Sequence, residues 1–166
     1  MHRCKSRVQL ALRVADLEGS IAFYTKLFGV EPAKRRPGYA NFAIARPPLK
    51  LVLLEGEQGR ETVMDHLGVE VETGQEVADA TRRLTDAGLA AFPENDTSCC
   101  YALQDKVWVR GPGAEPWEVY VVKADADVLG KSAAHDGGTP CVCGPDAGQT
   151  GEQDTPMAPG ARTDRC

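Results

Sequence analysis

The 166-residue sequence lacks three features, and each absence excludes a class of protein. No segment approaches the roughly 18 consecutive apolar residues of a membrane-spanning helix, so we expect no membrane contact. The N-terminal segment holds no apolar core of a secretory signal, which favours a cytoplasmic location. The chain also has no basic excess, since its net charge is −5, and this argues against binding to nucleic acid.

The six cysteines do not have the arrangement of a disulfide framework. Cys99 and Cys100 are adjacent, and successive Cα atoms lie about 3.8 Å apart, below the roughly 4.4–6.8 Å that disulfides prefer. The cytoplasm is also a reducing compartment. We therefore expect reduced thiols at all six positions, which are Cys4, Cys99, Cys100, Cys141, Cys143 and Cys166.

The segment after Lys123 differs in composition from the rest of the chain. All ten aromatic residues lie between Phe23 and Tyr120, whereas residues 126–166 are rich in Gly, Pro, Asp and Thr without apolar periodicity. Such a segment buries too little apolar surface to offset the entropy of ordering it. We therefore predict an ordered domain over residues 6–125 and a disordered tail over residues 126–166. The Cys-x-Cys spacing in this tail matches no common zinc motif.

Within the predicted domain the sequence repeats itself. Residues 7–14 (RVQLALRV) align with residues 64–71 (MDHLGVEV), and both place apolar residues at alternate positions, as half-buried strands do. A helical pattern follows each segment, over residues 16–28 with Asp16 as the N-cap, and over about residues 75–87. Gly29 and Gly88 come where left-handed residues end helices.

Three short strand patterns follow each predicted helix. They cover residues 30–34, 39–45 and 50–55 in the first half, and residues 90–92, 106–110 and 117–122 in the second. The order is βαβββ twice, in halves of about residues 6–56 and 63–123, which indicates a paired module rather than a solenoid. We predict an α+β fold in which the two modules form one curved mixed sheet around a shared cleft.

Three polar residues in these strands form a candidate metal site. Gln9 and His66 are equivalent in the repeat and face away from the Leu and Val side chains, so pseudo-twofold symmetry brings them to one cleft. Glu118 lies in a strand of Trp, Val and Tyr, where a buried carboxylate requires a cation, a hydrogen-bond network or a metal. The alternative interpretation is that His66 caps a strand, Gln9 is a polar spacer and Glu118 pairs with Lys or Arg.

One His, one Glu and one Gln amide oxygen form a weakened version of the triad of two histidines and one carboxylate. Such a triad leaves open positions on a divalent metal and suits non-haem Fe(II) that reacts with O2. Mn, Ni, Co or Zn would also fit the site. Because Gln9 is a weak neutral ligand, Glu115 is a further residue that would complete the coordination.

Four segments carry a family resemblance, namely FYTKLFGVEPAKRRPGYANFAIARPPLKLVLLE, HLGVEVE, CCYALQDKVWVRGP and EPWEVYVV. They resemble the ArsI/CadI proteins of the vicinal oxygen chelate superfamily, which includes glyoxalase I, extradiol dioxygenases and fosfomycin-resistance proteins. The resemblance covers about residues 6–123. It implies an Fe(II)- and O2-dependent lyase that cleaves the carbon–arsenic bond of trivalent organoarsenicals, such as methylarsonous acid or aromatic arsenicals, and releases arsenite.

The resemblance also implies roles for individual residues. Metal ligands are expected at Gln9, His66 and Glu118, and an arsenic-binding thiol pair at Cys99 and Cys100. Ni, Co, Mn or Zn would replace the iron without supporting activity. The expected form of the protein is a monomer or a homodimer.

The thiol pair has its own chemical logic. The polar residues 93–98 predict a loop that carries Cys99 and Cys100 ahead of a strand. The alternative interpretation is two small side chains buried under that loop. A monoorganyl arsenic(III) has two exchangeable hydroxyls and one fixed carbon, so two thiols saturate it, whereas arsenite favours three. Tyr101, beside the pair, is a candidate catalytic residue as a hydrogen-bond donor, and is equally compatible with packing in the loop.

Two other functions remain open from the sequence. A glyoxalase-like or fosfomycin-resistance-like metalloenzyme, or an extradiol dioxygenase, would use the same cleft but leaves the cysteine pair unexplained. A thiol-based cadmium- or arsenic-binding resistance protein would use the cysteines without catalysis. Oxygen discriminates between them, because a lyase of this kind needs Fe(II) and O2, while a sequestering protein binds its metal stoichiometrically.

Overall fold

A computed structural model describes residues 6–126 of the chain. Two helices and eight strands follow one another in the predicted order, βαβββ twice. They are β1 (Arg7–Val14), α1 (Leu17–Phe28), β2 (Lys34–Arg36), β3 (Tyr39–Ile44), β4 (Leu49–Glu55), β5 (Val63–Glu70), α2 (Gly74–Asp86), β6 (Phe92–Cys99), β7 (Ala102–Arg110) and β8 (Pro116–Asp125). The predicted tail beyond residue 126 lies outside the described residues, as do Cys4, Cys141, Cys143 and Cys166.

All eight strands belong to one curled sheet in the order β2-β3-β4-β1-β5-β8-β7-β6. The pairs β1/β4 and β5/β8 are parallel, and the other neighbours are antiparallel, so the sheet is mixed. The first strands of the two halves, β1 and β5, lie side by side at the centre. This confirms the predicted fold, in which the repeat builds one shared sheet.

Each half has one helix, and both helices cover the face of the sheet that carries the apolar strand residues with which they pack. Asp16 caps α1 by accepting a hydrogen bond from Gly19 N at 2.8 Å, and Gly29 ends it with a φ of 67°. Thr73 and Glu76 form a capping box at the start of α2. Each helix contributes buried side chains that pack on buried strand residues: Ile21 with Val14, Phe42, Leu51 and Leu53 in the first half, and Val77 and Ala80 with Val107 and Val121 in the second. The opposite face of the sheet carries buried polar side chains of β1, β5 and β8 and, beside them, a second apolar cluster around Ala11, Tyr39 and Cys99.

The predicted loop at residues 93–98 is wrong, because these residues belong to β6. Cys99 ends this strand opposite Ala102, and Cys100 and Tyr101 form a two-residue turn with φ of 52° and 59°. Two positive φ values are the signature of a type I′ hairpin turn, whose twist matches that of the flanking strands. The thiol pair is therefore held at a tight turn between β6 and β7 rather than on a long loop.

The error has a physical cause. Strand β6 is at the edge of the sheet and pairs only with β7, so it needs few apolar residues and tolerates Pro93. A bulge between Glu94 and Thr97 breaks its alternation further. The other predicted strand starts shift by up to four residues, since β2 begins at Lys34 instead of Val30 and β7 begins at Ala102 instead of Lys106.

Within residues 6–126, the two helices are too short and too polar for either to span a bilayer.

Candidate functional site

The structure brings the three predicted metal ligands together on neighbouring strands. Gln9 lies on β1, His66 on β5 and Glu118 on β8, and their exposed fractions are only 4%, 2% and 3%. Gln9 pairs with Gly68 across β1 and β5, and Gly68 pairs with Glu118 across β5 and β8. Because these residues share one face, their side chains meet above Gly68.

Gly68 provides the space in which these side chains meet. A Cβ atom there would lie 3.1 Å from Glu118 Cγ and 3.2 Å from Gln9 Nε2, so any larger residue would displace both side chains. This role of Gly68 was not predicted from the sequence. A glycine inside the predicted strand was the available signal, since glycine in a strand marks a close approach.

The donor atoms form a small triangle. The Gln9 amide nitrogen lies 3.0 Å from His66 Nε2 and 2.8 Å from Glu118 Oε1, and the third side, from His66 Nε2 to Glu118 Oε1, is 3.4 Å. Three ligands at right angles around a divalent ion, with bonds of about 2.1 Å, are separated by about 3.0 Å. The triangle therefore has the dimensions of one face of an octahedral metal site.

A metal in this site would need the amide of Gln9. Within residues 6–126, no three His, Cys, Asp or Glu side chains cluster in a way that would hold a metal ion. The alternative ligand Glu115 lies in the turn between β7 and β8, where its carboxylate is held against Gly111. Gln9 with His66 and Glu118 is thus the donor set that fits a metal.

Asp65 orients the imidazole of His66. Its Oδ2 lies 2.7 Å from His66 Nδ1, and Arg13 holds the carboxylate through a 2.7 Å contact to Oδ1. Burial alone lowers the pKa of His66, but Asp65 and Glu118 outweigh it and raise the pKa to about 9. A histidine that donates Nδ1–H to a carboxylate presents Nε2 outward, as metal-binding histidines commonly do.

Lys106 neutralises the other oxygen of Glu118. Its Nζ lies 2.8 Å from Glu118 Oε2 and 5.2 Å from the centre of the Trp108 ring. Burial raises the pKa of Glu118, yet Lys106 and His66 lower it more, so the pKa falls well below its usual value. The pairing of Glu118 with a lysine, which the alternative interpretation predicted, is therefore present, but it uses only Oε2. Oε1 still faces Gln9 and His66.

A second buried polar group supports Gln9. Tyr120 Oη lies 2.5 Å from Gln9 Oε1 and 2.9 Å from Glu70 Oε2. Arg7 and Lys50 contact the carboxylate of Glu70 at 3.2 Å and 3.3 Å. These partners were not predicted from the sequence, because their pairing depends on the register between strands distant in sequence.

The thiol pair lies on the same face of the sheet. Its sulfurs are 3.3 Å apart, longer than the roughly 2.05 Å of a disulfide bond. A single atom bonded to both at about 2.3 Å, the length of a zinc–sulfur bond, would have a bond angle of roughly 90°. Cys99 packs with Ala11, Tyr39, Val52 and Leu54. Ala11 pairs directly with His66, so this apolar cluster joins the thiols to the donor triangle.

Tyr101 ties the hairpin turn to the opposite edge of the sheet. Its hydroxyl donates to the carbonyl of Pro37 at 3.2 Å, and its ring lies 5.6 Å from that of Tyr39. Its own carbonyl accepts a hydrogen bond from Lys34 at 3.2 Å. The structure places Tyr101 beside the thiols, and its catalytic role stays a prediction.

The comparisons with known proteins agree with this geometry. Residues 7–119 match the profile of the Glyoxalase/Bleomycin resistance protein/Dioxygenase superfamily. The chain belongs to this superfamily. Its members are metal-dependent enzymes. An extradiol ring-cleaving dioxygenase from B. fuscum has the same fold, with a TM-score of 0.53 and 19% identity, over 74% of this chain and 34% of that one.

Two curated relatives are much more similar within the superfamily. A trivalent organoarsenical cleaving enzyme from Thermomonospora curvata is 71% identical over 127 residues, which are 76% of this chain and 84% of that protein. The cadmium-induced protein CadI from Mycobacterium bovis is 59% identical over 130 residues, 78% of this chain and 85% of CadI. The chain is thus a homologue of organoarsenical cleaving enzymes, which confirms the predicted family.

Proposed function

We propose that this protein cleaves the carbon–arsenic bond of trivalent organoarsenicals such as methylarsonous acid and aromatic arsenicals, with Fe(II) at Gln9, His66 and Glu118. One observation carries the proposal beyond homology. A triangle of N and O donors with metal-site dimensions shares a sheet face with two sulfurs 3.3 Å apart. Soft thiolates suit arsenic and harder N/O donors suit iron, so the two elements do not compete for one site.

The thiols bind the arsenic atom. Methylarsonous acid carries two hydroxyls, and each leaves as water when a cysteine thiol takes its place. Cys99 and Cys100 then fill both exchangeable positions and leave the carbon–arsenic bond intact. The S–As–S angle of roughly 90° implied by a bond length of about 2.3 Å suits pyramidal trivalent arsenic. The apolar side chains of Val52 and Leu54 around Cys99 provide an environment for the organic group.

The residues around the triangle prepare the metal site. Asp65 holds His66 with Nε2 directed at the site, and Lys106 holds Glu118 so that one oxygen remains for a metal. Fe(II) bound there would supply the activation of O2. The net reaction CH3As(OH)2 + O2 → As(OH)3 + CH2O balances, because carbon loses the four electrons that O2 gains. Tyr101 contributes to the wall beside the thiols, and acts as a donor only if it leaves the Pro37 carbonyl.

The site is compatible with the expected oligomeric state and cellular location of the protein. All the named groups come from one chain, so a monomer would suffice and a homodimer is not needed. Arsenic binding requires reduced thiols, which suits the cytoplasm.

An anaerobic single-turnover experiment tests the proposal. The protein is loaded with Fe(II), given methylarsonous acid, and then exposed to O2 while arsenite is quantified by chromatography. We expect arsenite only when iron and oxygen are both present. H66A should bind the arsenical without releasing arsenite, since it loses the metal and keeps the thiols.

Two other results would point elsewhere. Stoichiometric arsenic or cadmium binding without oxygen consumption would favour the sequestering protein. No binding and no turnover would favour a glyoxalase-like reaction in the same cleft.

A further inference from the structure

The hydroxyl of Tyr120 lies between two hydrogen-bond acceptors. It is 2.5 Å from Gln9 Oε1 and 2.9 Å from Glu70 Oε2. A tyrosine hydroxyl has a single hydrogen, so it donates to only one of them. In this arrangement, one of the two buried contacts therefore brings two lone pairs together, which is costly.

Glu70 is the stronger of the two acceptors. Arg7 and Lys50 lie 3.2 Å and 3.3 Å from its oxygens, and this pairing keeps it an ionised carboxylate that only accepts. Hydrogen bonds to an ionised group are roughly twice as strong as those between neutral groups. If Tyr120 donates to Glu70, its lone pairs face Gln9, and that position then needs a donor.

Turning the amide of Gln9 supplies this donor. The nitrogen and oxygen of an amide are nearly equal in size, so hydrogen-bond partners decide the orientation. In the turned orientation, Nε2 donates to Tyr120, and Oε1 takes the position 3.0 Å from His66 Nε2 and 2.8 Å from Glu118 Oε1. The lone pairs of the three side chains then converge, which a cation between them stabilises.

We propose that Tyr120 and Glu70 are positioning residues that turn the amide of Gln9 so that its oxygen faces the metal. This inference rests on the proposed function, in which Gln9, His66 and Glu118 hold that metal. Without metal, Gln9 Nε2 donates to Glu118, as observed. With metal, Gln9 Nε2 donates to Tyr120 Oη, and Tyr120 Oη donates to Glu70. Neither contact then brings two acceptors together. The orientation is decisive because the delocalised lone pair of an amide nitrogen does not bind metals.

A double-mutant cycle on Zn(II) affinity tests the proposal without measuring activity. Y120F removes the hydroxyl, and Q9E replaces the amide by a carboxylate whose two oxygens are equivalent. We expect Y120F to weaken Zn(II) binding roughly 10- to 100-fold in the Gln9 protein, the usual effect of losing a partner of a ligand. In the Q9E background, Y120F should change the affinity by no more than about twofold.

The controls separate this inference from the metal site itself. Y24F, at a half-buried tyrosine that packs α1 against the other face of the sheet, is the matched control and should bind Zn(II) normally. If Y120F binds normally while H66A does not, the positioning role is wrong and the metal site stands. If H66A also binds normally, the metal site and the proposed function both fail.

The cycle also distinguishes orientation from simple packing. An equal loss for Y120F in both backgrounds would overturn the positioning role, because the carboxylate of Q9E has no wrong orientation. If Y120F does not fold, E70Q decides the same question in both backgrounds. It should weaken binding in the Gln9 protein and not in Q9E, since a neutral amide is a poorer acceptor for Tyr120.

Discussion

Lys106 Nζ lies 2.8 Å from Glu118 Oε2, and both side chains are buried on the adjacent strands β7 and β8. Removing one partner of such a pair leaves an uncompensated charge in the interior, which costs about 3–5 kcal/mol. K106M should therefore lower the free energy of unfolding by about 3 kcal/mol when measured by urea denaturation in EDTA.

Saturating Zn(II) should recover part of the stability that K106M loses, because a cation beside Glu118 replaces the missing charge. K123M, at a partly exposed lysine on β8, is the matched control and should change stability little. An equal loss with and without Zn(II) would show that no cation binds beside Glu118.

The variant G68A tests whether metal binding needs the space above Gly68 on β5. In G68A the new Cβ would approach Glu118 Cγ to 3.1 Å and Gln9 Nε2 to 3.2 Å, so the two donors must separate. We expect Zn(II) affinity measured by chelator competition to fall at least tenfold, as it does when a metal ligand is misplaced. G74A, where the nearest atom is Asp105 Oδ2 at 3.4 Å, should bind Zn(II) like the parent protein. Unchanged affinity in G68A would argue against a metal held between these two side chains.

The repeat made the centre of the sheet predictable from sequence. Gln9 and His66 occupy equivalent positions in two alternating strands, and this alternation decides which face each side chain takes. Glu118 stood out because a carboxylate in an apolar strand needs a partner. These local signals were sufficient to bring the three donors to one face.

Partners from distant strands could not be found in the same way. Whether Lys106 reaches Glu118, or Tyr120 reaches Gln9, depends on the register of β7 on β8 and of β5 on β8. No pattern within one strand reports that register. Strand β6 was predicted as a loop for another reason. It is an edge strand with one neighbour, and such a strand can have a polar sequence that resembles a loop.

The carboxylate of Glu70 predicts a pH dependence of stability. Burial raises its pKa, but Lys50 and Arg7 lower it more, so the pKa in the folded protein falls below the ordinary value of 4.5. A lowered pKa means that the folded state binds this proton less readily than the unfolded chain. Glu70 thus stabilises the protein above pH 4.5, and this contribution is lost as the pH falls through the lowered pKa.

E70Q measures that contribution. The variant should be less stable than the parent protein by about 3 kcal/mol near neutral pH, because Arg7 and Lys50 lose their carboxylate. The difference should shrink as the pH falls below 4.5, where Glu70 takes up a proton first in the unfolded chain and then, at its lowered pKa, in the folded protein. Urea denaturation across this range checks it, with E57Q at an exposed carboxylate as the control. A difference that stays constant with pH would contradict the assignment.

The thiol pair and the metal triangle should be separable by mutation. C99S and C100S each remove one sulfur from the turn, and a monoorganyl arsenic(III) needs two thiols to be saturated. We expect each variant to lose at least tenfold in affinity for methylarsonous acid, because one of two metal-type ligands is gone. Zn(II) binding at Gln9, His66 and Glu118 should stay unchanged, since these donors lie on β1, β5 and β8 rather than in the turn.

C141S, in the C-terminal segment, is the matched control and should bind the arsenical normally. If C99S and C100S still bound and cleaved it, arsenic would have to be held elsewhere, and the division of labour between sulfur and N/O donors would fail.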